Sequence, residues 1–514
     1  MSIKAFDWVA HYADRHGEKI ACVDVDSKIS LSYKEMDERA CRLASYLTKS
    51  CGLEKGDRLA ILAYNSADFL VVQQVCVKTG AILLPLNWRL TAPEIAFQAE
   101  NAEPKILIYG DEFADIAKQV AADKNIKHTI EWKADTPDSE FERAVQSGDP
   151  DFFPVHVTLD DPWAIMYTSG TTGFPKGAIL THGMSLFNAI SYGIVNHISS
   201  ATVNLCFLPL FHTGGLNNCI NPVLHQGGTV VLCRQFDPGA VLGLISDQKL
   251  AITNVMGVPA IFLMLSQHPD FDKTDFSRVV NAPVGGAPVP ISMHKLWRSR
   301  GVALQEGYGL TEGGPAVIIS EIDQPLDKAG AAGKPVLHGE LRLVDPDGED
   351  VKDGEVGEIW IKGPAVTPGY WNNSDANSGA FKDGWFCTGD AAYRDEDGYY
   401  YIVDRWKDMY ISGGENVYPA EIENALYEIP QIAEVAVIGI AEEKWGEVGC
   451  AAIVVKPGET LSEKQVLEHC AGRLARFKIP KKLVFIKALP RNAMNKVLKE
   501  DLRERLGVGD LIKK

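Results

Sequence analysis

The amino-acid sequence predicts an α/β protein: a large N-terminal domain of helix-covered sheets with a small β-barrel-like subdomain, followed by a small α+β C-terminal domain. The chain has 514 residues, which is too long for one ordinary core. Strand and helix patterns alternate over residues 30–110, as they do in parallel sheets covered by helices. Short strands between Gly, Asp and Pro turns then fill about 333–403, which is typical of an antiparallel sheet or small barrel.

The first helices begin at recognisable caps. Residues 32–35 (SYKE) form a capping box that opens an amphipathic helix to about Leu47, and residues 91–94 (TAPE) form a second one. An apolar run at 58–63 predicts a buried strand. Residues 120–160 are weakly patterned and predict surface connections with one short helix. The other predicted elements are helices over 67–79 and 184–196 and strands at 82–86, 105–109, 203–208, 228–232 and 279–284.

The pattern returns to α+β after Asp404. The elements predicted there are helices over 419–428 and 462–477 and strands at 434–439, 451–455 and 483–486. The domains that we predict are an N-terminal domain at 1–403 with its β-rich subdomain at about 333–403, a boundary at 404–408, and a C-terminal domain at 409–514.

Composition and charge disfavour several classes of protein. The formal net charge of −17 disfavours a nucleic-acid partner, whose phosphates need a basic patch. The N-terminus lacks the apolar core of a signal peptide, and no run approaches about 18 apolar residues. We therefore expect a cytoplasmic protein without a transmembrane segment. The ten cysteines show no C-x-x-C pair and no metal spacing, so we expect reduced, buried thiols.

Residues 167–177 (YTSGTTGFPKG) are a candidate phosphate-binding loop that follows the apolar run at 163–166. Hydroxyls and backbone N–H groups can donate to phosphate oxygens, glycines permit close approach, and Lys176 adds a mobile positive charge. The spacing differs from a Walker A loop, which requires G-x-x-x-x-G-K-[ST]. A flexible surface loop is the alternative interpretation of this composition.

Two further segments suit a nucleotide or an acyl group. In residues 305–312 (QEGYGLTE), two glycines flank Tyr308, whose ring can stack on a base or pack under a ribose. Thr311 and Glu312 then place a hydroxyl beside a carboxylate, which suits a phosphate and Mg²⁺. A structural turn with a packed tyrosine is the alternative. The tight turn at 284–288 (VGGAP) leaves room for a flat ring or an acyl chain.

Later segments add groups for a ribose and for a carboxylate. Asp390, in GWFCTGD, can accept from vicinal ribose hydroxyls, and Arg405, in VDRWKD, can donate to the ribose or to a phosphate. A surface salt bridge between the two is the alternative. Residues 412–419 (SGGENVYP) follow, and Lys496 lies in a polar segment near the C-terminus. Taken alone, Lys496 would be interpreted as an exposed surface lysine.

Together with PLFHTGG (209–215), these motifs in this order resemble the AMP-forming acyl-CoA synthetase family of adenylate-forming enzymes over essentially the whole chain. The resemblance implies that a carboxylic acid and ATP form an acyl-adenylate and pyrophosphate, after which the acyl group passes to coenzyme A. It implies Mg²⁺ as a cofactor, since charge grows on the phosphates. It also implies that the C-terminal domain is mobile and rotates between the two steps, with Lys407 at the hinge.

The resemblance further implies the roles of individual residues. Tyr308 would pack against adenine, Thr311 would contact the α-phosphate, and Lys496 would align the substrate carboxylate with the α-phosphate. Glu312 would hold Mg²⁺. The candidate catalytic residues are Lys496, Glu312, Thr168 and His212. The nucleotide-binding candidates are Thr168, Ser169, Gly170, Thr171, Thr172, Lys176, Gly286, Ala287, Glu306, Gly307, Tyr308, Gly309, Thr311, Asp390, Arg405 and Lys496.

The resemblance also implies residues that would bind coenzyme A and the acid. Ordinary interface packing is the alternative for Trp445, and a satisfied core position is the alternative for His212, which matches a gate of the acyl pocket. The coenzyme A candidates are Gly413, Gly414, Trp445 and Lys478. The acyl-pocket candidates are His212, Thr213, Gly214, Asn217, Gly257, Gly285, Gly309 and Gly314.

Asn495 departs from the family pattern, in which Gly most often precedes the catalytic lysine. Asn tolerates left-handed backbone better than other non-Gly residues, so we expect the same loop shape at a small cost. A slower first step is expected if close ligand approach requires the glycine.

The acid is the least determined part of the activity. The expected pocket walls are small or apolar and contain no Arg or Lys, which disfavours a dicarboxylate such as malonate. We favour an aryl or phenylpropenoic acid, because Gly and Ala surfaces can face a flat ring; a medium- or long-chain fatty acid is the alternative. Other open activities are carrier-protein loading, a luciferase-like oxidation and non-catalytic nucleotide binding, although intact Lys176, Glu312 and Lys496 disfavour the last. A homodimer is left open.

Overall fold

The computed structural model describes residues 3–134, 136–168, 175–286, 289–405, 408–412, 415–442, 446–471, 473–491 and 497–506. The chain divides into two compact units. The first comprises Met1–Leu341 and Ile361–Phe386, and the second comprises Arg342–Trp360 and Cys387–Lys514. The segments around Thr168, His212 and Glu312 belong to the first unit.

Helices and strands alternate along the described chain. The helices are α1 (Trp8–His16), α2 (Tyr33–Cys51), α3 (Ala67–Thr79), α4 (Ala92–Ala102), α5 (Ala114–Asp123), α6 (Glu140–Ser147), α7 (His182–Val195), α8 (Asn221–His225), α9 (Pro238–Ser246), α10 (Pro259–Gln267), α11 (Ile291–Ser299), α12 (Ser374–Ala380), α13 (Pro419–Tyr427), α14 (Glu463–Ala471) and α15 (Lys499–Arg505). The strands are β1 (Ile20–Asp24), β2 (Ile29–Ser32), β3 (Arg58–Leu62), β4 (Ile82–Pro85), β5 (Ile106–Gly110), β6 (His128–Trp132), β7 (Pro162–Thr168), β8 (Lys176–Thr181), β9 (Val203–Cys206), β10 (Thr229–Leu232), β11 (Asn254–Val255), β12 (Ala282–Gly285), β13 (Leu304–Gly309), β14 (Ala316–Ile319), β15 (Lys334–Pro335), β16 (Glu340–Val344), β17 (Gly357–Lys362), β18 (Phe381–Lys382), β19 (Trp385–Arg394), β20 (Tyr400–Arg405), β21 (Tyr410–Ser412), β22 (Glu415–Val417), β23 (Ile432–Glu442), β24 (Gly446–Val455) and β25 (Lys482–Phe485).

Three sheets of the first unit confirm the predicted α/β class. A six-stranded sheet has the order β6-β5-β3-β4-β7-β8, and its pairs are parallel except for the antiparallel β7–β8 hairpin. A five-stranded sheet follows the order β11-β9-β10-β1-β2, and a four-stranded sheet the order β12-β13-β14-β15. Strand β5 is buried throughout, which explains its continuous apolar sequence.

The predicted capping boxes are present. At the start of α2, the Ser32 hydroxyl accepts from the Glu35 N–H at 3.2 Å, and the Glu35 carboxylate accepts from the Ser32 N–H at 2.8 Å. At α4, the Glu94 carboxylate accepts from the Thr91 N–H at 2.7 Å. These bonds satisfy N–H groups that have no partner within their helices, so local sequence fixes where both helices begin.

The later part of the chain contains two further sheets. Between residues 340 and 405, β18 and β20 pair antiparallel with β19 in a sheet that also contains β16 and β17. The C-terminal sheet has the order β22-β21-β24-β23, with β25 paired to β24. Val437 of β23 packs in one core cluster with α13 and α14, whereas its neighbour Ile438 packs in another with Leu502 of α15. Alternate residues of the strand therefore serve opposite faces.

Two predicted extents were wrong. Helix α14 ends at Ala471 rather than near 477, and Gly472 follows it in the sequence, where glycine opposes continuation of a helix. Residues 120–160 contain the predicted short helix as α6, but they also contain the unpredicted strand β6, which pairs in parallel with β5 at the edge of the six-stranded sheet. Its mixed sequence, HTIEW, reflects that edge position and has no long apolar run.

All ten cysteines are free thiols; nine are buried and Cys387 is partly exposed. Burial raises the pKa of the Cys233 thiol to about 12, so this group stays protonated at neutral pH. No helix in the described part of the chain has the length and apolar character needed to span a bilayer.

Lys78, near the end of α3, is buried although it carries a charge, with only 1% of its surface exposed. Its Nζ lies 2.8 Å from Asp7 Oδ2 and 2.5 Å from Asp37 Oδ1. Asp7 also caps α1 by accepting from the Ala10 N–H at 2.9 Å. One ammonium group therefore ties together the start of α1 and the bodies of α2 and α3.

We expect Lys78→Met to lower the free energy of unfolding by about 3–5 kcal/mol, because two carboxylates would be left facing each other without their buried cation. Lys34→Met is the matched control. Lys34 Nζ lies 3.9 Å from Glu18 between exposed side chains, so its loss should cost less than about 1 kcal/mol. Urea unfolding at equilibrium measures both changes, and equal losses would contradict a stabilising buried cluster.

Candidate active site

The β7–β8 hairpin carries the predicted phosphate loop. Strand β7 buries its apolar residues Trp163–Met166 and ends at Thr168, which is paired in the ladder with Lys176 at the start of β8. A hydroxyl and an ammonium group thus occupy the two sides of the loop base. The loop candidates that lie outside the described residues are Ser169, Gly170, Thr171 and Thr172.

Glu312 lies beside this hairpin although it is 144 residues away from Thr168 in the chain. It belongs to a short 3₁₀ turn, Thr311–Gly313, that follows β13, and it is buried. The Thr168 hydroxyl lies 3.3 Å from Glu312 Oε1. The fold therefore brings together three of the residues predicted to handle phosphates and a cation.

Tyr370 also contacts this group, and sequence reasoning missed it. Its hydroxyl donates to Glu312 Oε1 at 2.9 Å, and its ring centroid lies 5.2 Å from Lys176 Nζ. The side chain is buried. The surrounding sequence, PGYWNN, has no polar pattern of the kind that identified the other candidates. Only the pairing of residues 369–371 with β8 brings it to the site.

The donor set fits Mg²⁺ bound together with a nucleotide. Mg²⁺ in such sites takes one or two protein carboxylates, with phosphate oxygens and water as its remaining ligands. Glu312 supplies a buried carboxylate and Thr168 a neighbouring hydroxyl. Among the described residues, no cluster of three or more His, Cys, Asp or Glu side chains could hold a metal by itself. The arrangement suits a cation that arrives with phosphates.

Four glycines lie on β12, on β13 and on the segment that bridges to β12, and together we call them the glycine wall (Gly257, Gly285, Gly307 and Gly309). Gly285 of β12 pairs with Gly307 of β13, and the Gly285 N–H donates to Gly257 O at 3.3 Å. A Cβ on Gly309 would lie 1.6 Å from Pro315 O, so no side chain fits there. The wall ends beside Gly286, whose φ is +85°, while Ala287 lies outside the described residues.

Glu306 lies directly before the wall in β13, and its carboxylate binds other groups of the protein. Oε1 lies 2.9 Å from His294 Nε2 and accepts from the Gly330 N–H at 2.7 Å. Oε2 accepts from the Val289 N–H at 3.2 Å. The side chain therefore links β13 to the segment that begins at Val289. This bonding suits a positioning role, and direct nucleotide contact by Glu306 stays a prediction.

The residues after Pro209 form the predicted acyl-pocket segment, and four of its candidates lie at the start of one helix. A π-helix over Gly214–Ile220 begins there and continues into α8. His212 Nδ1 accepts from the Gly214 N–H at 3.1 Å, so a neutral imidazole carries its proton on Nε2. A Cβ on Gly215 would lie 2.3 Å from Pro209 O, which explains a second glycine at this turn.

A buried chain of amides supports this segment. Asn217 Nδ2 donates to Thr213 Oγ1 at 3.0 Å, and Asn221 Nδ2 donates to Asn217 Oδ1 at 2.8 Å. Asn188 of α7 donates to Asn217 O at 2.7 Å and accepts from the Ala316 N–H at 3.1 Å. Asn188 therefore connects the π-helix to the strand after Gly314. Sequence reasoning missed Asn188, which lies within an otherwise apolar helix without a motif.

The second unit contains the remaining candidates. Asp390 of β19 and Arg405 of β20 are opposite each other in the ladder. Lys478 Nζ lies 2.7 Å from both carboxylate oxygens of Glu421, so its charge is paired within this unit. The calls that lie outside the described residues are Lys407, Gly413, Gly414, Trp445 and Lys496.

Comparison with known proteins identifies the family. The family model described as AMP-binding enzyme matches residues 9–371, and the model described as AMP-binding enzyme C-terminal domain matches residues 421–496. Feruloyl-CoA synthase of an Amycolatopsis species is 39% identical over 478 residues, which cover 93% of this chain and 94% of the relative. Long-chain-fatty-acid–CoA ligase FadD13 of Mycobacterium tuberculosis is 39% identical over 488 residues, which cover 94% and 95%.

A solved structure extends the likeness to the whole fold. The crystal structure of ATP-bound MatB from Rhodopseudomonas palustris superposes with a TM-score of 0.91 at 34% identity, covering 99% of this chain and 100% of that one. The chain belongs to the AMP-binding enzyme family, the adenylate-forming acyl-CoA synthetases that its motifs resemble.

Proposed function

We propose that the protein is an ATP-dependent carboxylic acid–CoA ligase that works through an acyl-adenylate. The observation that carries the proposal is the convergence of Thr168, Lys176 and Glu312 at the base of one hairpin. The activities named for the relatives, feruloyl-CoA synthesis and fatty acid–CoA ligation, support the same reaction. The products would be acyl-CoA, AMP and pyrophosphate.

The chemistry explains why such a site is needed. A carboxylate is a poor electrophile, so one of its oxygens first attacks the α-phosphate of ATP, forming a mixed anhydride and expelling pyrophosphate. The thiolate of coenzyme A then attacks the acyl carbon, forming the thioester and expelling AMP. Negative charge grows on the α-phosphate and on pyrophosphate in the first step. We assign Lys176 to the departing phosphates and Lys496 to the α-phosphate and the substrate carboxylate.

We include Mg²⁺ in the proposal, with Glu312 as its protein carboxylate and the Thr168 hydroxyl beside it. A bound Mg²⁺ would neutralise charge on the phosphate oxygens. The glycine wall would receive the nucleotide or the acyl group close to the backbone, with Tyr308 packed against adenine. Asp390 and Arg405 would fix the ribose.

The acid that we favour is an aryl or phenylpropenoic acid. The feruloyl-CoA relative supports this choice, while the equally similar fatty acid–CoA ligase keeps an aliphatic acid as the second candidate. Among the described pocket candidates, Thr213 and Asn217 are neutral side chains that hydrogen-bond to each other. A neutral, flat surface suits a ring, and the absence of Arg or Lys among the pocket candidates disfavours a second carboxylate.

The second half-reaction needs different protein groups around the acyl-adenylate from those that serve the first. We propose that residues 409–514 rotate about Lys407, with Lys496 serving adenylation and the 412–419 segment serving thioester formation. Gly413, Gly414 and Trp445 would then border the pantetheine tunnel, and Lys478 would exchange Glu421 for a phosphate of coenzyme A. We also propose a cytoplasmic location and leave a homodimer open.

A substrate panel tests the reaction and the acid together. We expect ferulate and related phenylpropenoates to give higher kcat/KM than hexanoate or hexadecanoate when pyrophosphate release is measured with Mg-ATP and coenzyme A. Acyl-CoA should be detected by mass. A higher kcat/KM for a fatty acid would contradict the aryl assignment. Adenylate without thioester would favour carrier loading, and oxygen uptake with light would favour a luciferase-like oxidation.

Lys496→Ala should slow adenylation by about 100-fold or more, because a charge that stabilises the first transition state is lost. Thioester formation from supplied acyl-adenylate should change far less. Lys499→Ala is the matched control, since Lys499 Nζ lies 3.0 Å from Glu423 and has no assigned catalytic role. Equal slowing of both half-reactions by Lys496→Ala would mean that Lys496 is misassigned.

Lys407→Pro should spare acid-dependent pyrophosphate exchange and impair acyl-CoA formation, because proline fixes φ at the proposed pivot. Lys407→Ala serves as the control that removes the side chain and keeps the backbone free. Both half-reactions can be followed by radiolabelled pyrophosphate exchange and by mass detection of acyl-CoA. Unchanged overall turnover in Lys407→Pro would contradict rotation about this residue.

A further inference from the structure

A lysine and a glutamate serve the same proposed phosphate site, and such a pair would ordinarily neutralise itself. Lys176 is paired in the ladder with Thr168, and the Thr168 hydroxyl contacts Glu312. Within the part of the chain that the structure describes, Lys176 Nζ has no carboxylate within 4.0 Å. Each charge is thus held near the other without forming an ion pair.

Tyr370 is the side chain that contacts both charged groups. Its hydroxyl donates to Glu312 Oε1 at 2.9 Å, while its ring lies beneath Lys176 Nζ at 5.2 Å from the centroid. An aromatic face attracts an ammonium group without cancelling its charge, and a neutral hydroxyl does the same for a carboxylate. One residue therefore holds two opposite charges and neutralises neither.

The backbone around Tyr370 is fixed from two sides. Tyr370 pairs with Ala178 of β8 as an antiparallel bridge, and the Trp371 N–H donates to Gly177 O at 2.7 Å. The Asn377 side chain accepts from the Tyr370 N–H at 2.6 Å and donates to Tyr370 O at 3.0 Å. The ring is therefore positioned by a strand pairing and by an amide clamp.

The backbone of Glu312 is tied to the same segment. The Thr367 N–H donates to Glu312 O at 2.8 Å, three residues before Tyr370. Both hydroxyl contacts of the carboxylate fall on Oε1. The two bonds orient the carboxylate, and within the described part of the chain Oε2 has no such contact, so it would be the oxygen available to a cation. Groups that orient a metal-binding carboxylate in this way affect metal affinity without touching the metal.

We propose that Tyr370 is a positioning residue for the nucleotide-bound cation: its hydroxyl orients Glu312 toward Mg²⁺, and its ring keeps Lys176 available for the phosphates. This inference rests on the proposed function. The hydroxyl and the ring of Tyr370 would each have a separate effect on ligand binding. Loss of the hydroxyl affects the cation, whereas loss of the ring also affects the nucleotide without the cation.

Binding of Mn²⁺ and of α,β-methylene-ATP to the full chain tests both effects. Mn²⁺ affinity is measured by electron paramagnetic resonance in the presence of the ATP analogue, and metal-free analogue affinity by calorimetry in EDTA. Tyr370→Phe should weaken Mn²⁺ binding about 10-fold and leave metal-free analogue binding within about 2-fold. Tyr370→Leu should also weaken metal-free analogue binding by about 2- to 5-fold.

Tyr33→Phe is the matched control for loss of a buried tyrosine hydroxyl. Its hydroxyl donates to Gly228 O at 2.7 Å within the same unit, away from the proposed site residues. This variant should bind both probes as the wild type does, even if its thermal unfolding shifts. A merely structural role for Tyr370 would make Tyr370→Phe behave like Tyr33→Phe, with an unchanged Mn²⁺ affinity, and that result would overturn the inference.

Binding of the two probes to the wild-type protein distinguishes failure of the role of Tyr370 from failure of the proposed function. Wild-type protein that binds neither probe would overturn the proposed function and the role of Tyr370 together. Wild-type binding with equal Mn²⁺ affinity in Tyr370→Phe would overturn only the role of the hydroxyl. Equal metal-free analogue affinity in Tyr370→Leu would overturn the role of the ring.

Discussion

The Glu312 carboxylate receives hydroxyl contacts from distant parts of the chain, and the β7–β8 hairpin and the segment paired with it bring these parts together. Thr168 is 144 residues away in the sequence and Tyr370 is 58 residues away. A buried carboxylate needs hydrogen bonds to be tolerated, but a lysine as its partner would remove the charge that a cation needs. Hydroxyl groups satisfy the oxygen and keep the charge. The register of the β7–β8 hairpin and of the segment that pairs with it places both hydroxyls at Glu312.

Close packing of the chain against itself at the glycine wall is a second constraint, and buried polar side chains fix the neighbouring segments. The space where a Gly309 side chain would lie is filled by the carbonyl of Pro315, whose oxygen is 1.6 Å from the position of a Cβ. Glu306 ties β13 to the backbone at Val289, and Asn188 ties the π-helix to β14. Buried polar groups whose bonds are satisfied specify one arrangement, because any shift leaves a desolvated atom without a partner.

Local signals in the sequence predicted the elements that local chemistry determines. The capping boxes at 32–35 and 91–94 and the alternation of strands and helices were confirmed, because each depends on residues a few positions apart. The edge strand β6 was missed because its sequence, HTIEW, mixes buried and partly exposed positions and contains no apolar run. The motif order predicted Thr168 and Glu312 as residues of one site, and the fold brings the two side chains into contact. Tyr370 was missed because only pairing with β8 brings an unremarkable aromatic residue to the site.

The acid is harder to infer from the sequence than the reaction, because the two depend on different kinds of residue. Phosphates and a cation demand charges and hydroxyls, which leave polar motifs in the sequence. In the segment that we propose for the acyl group, the polar side chains instead bond to one another, with Thr213, Asn217 and Asn221 joined in one chain. Discrimination of the acid then depends on shape, and shape is set by packing that several sequences can share. Relatives named for an aromatic and for an aliphatic acid are accordingly 39% identical to this chain alike.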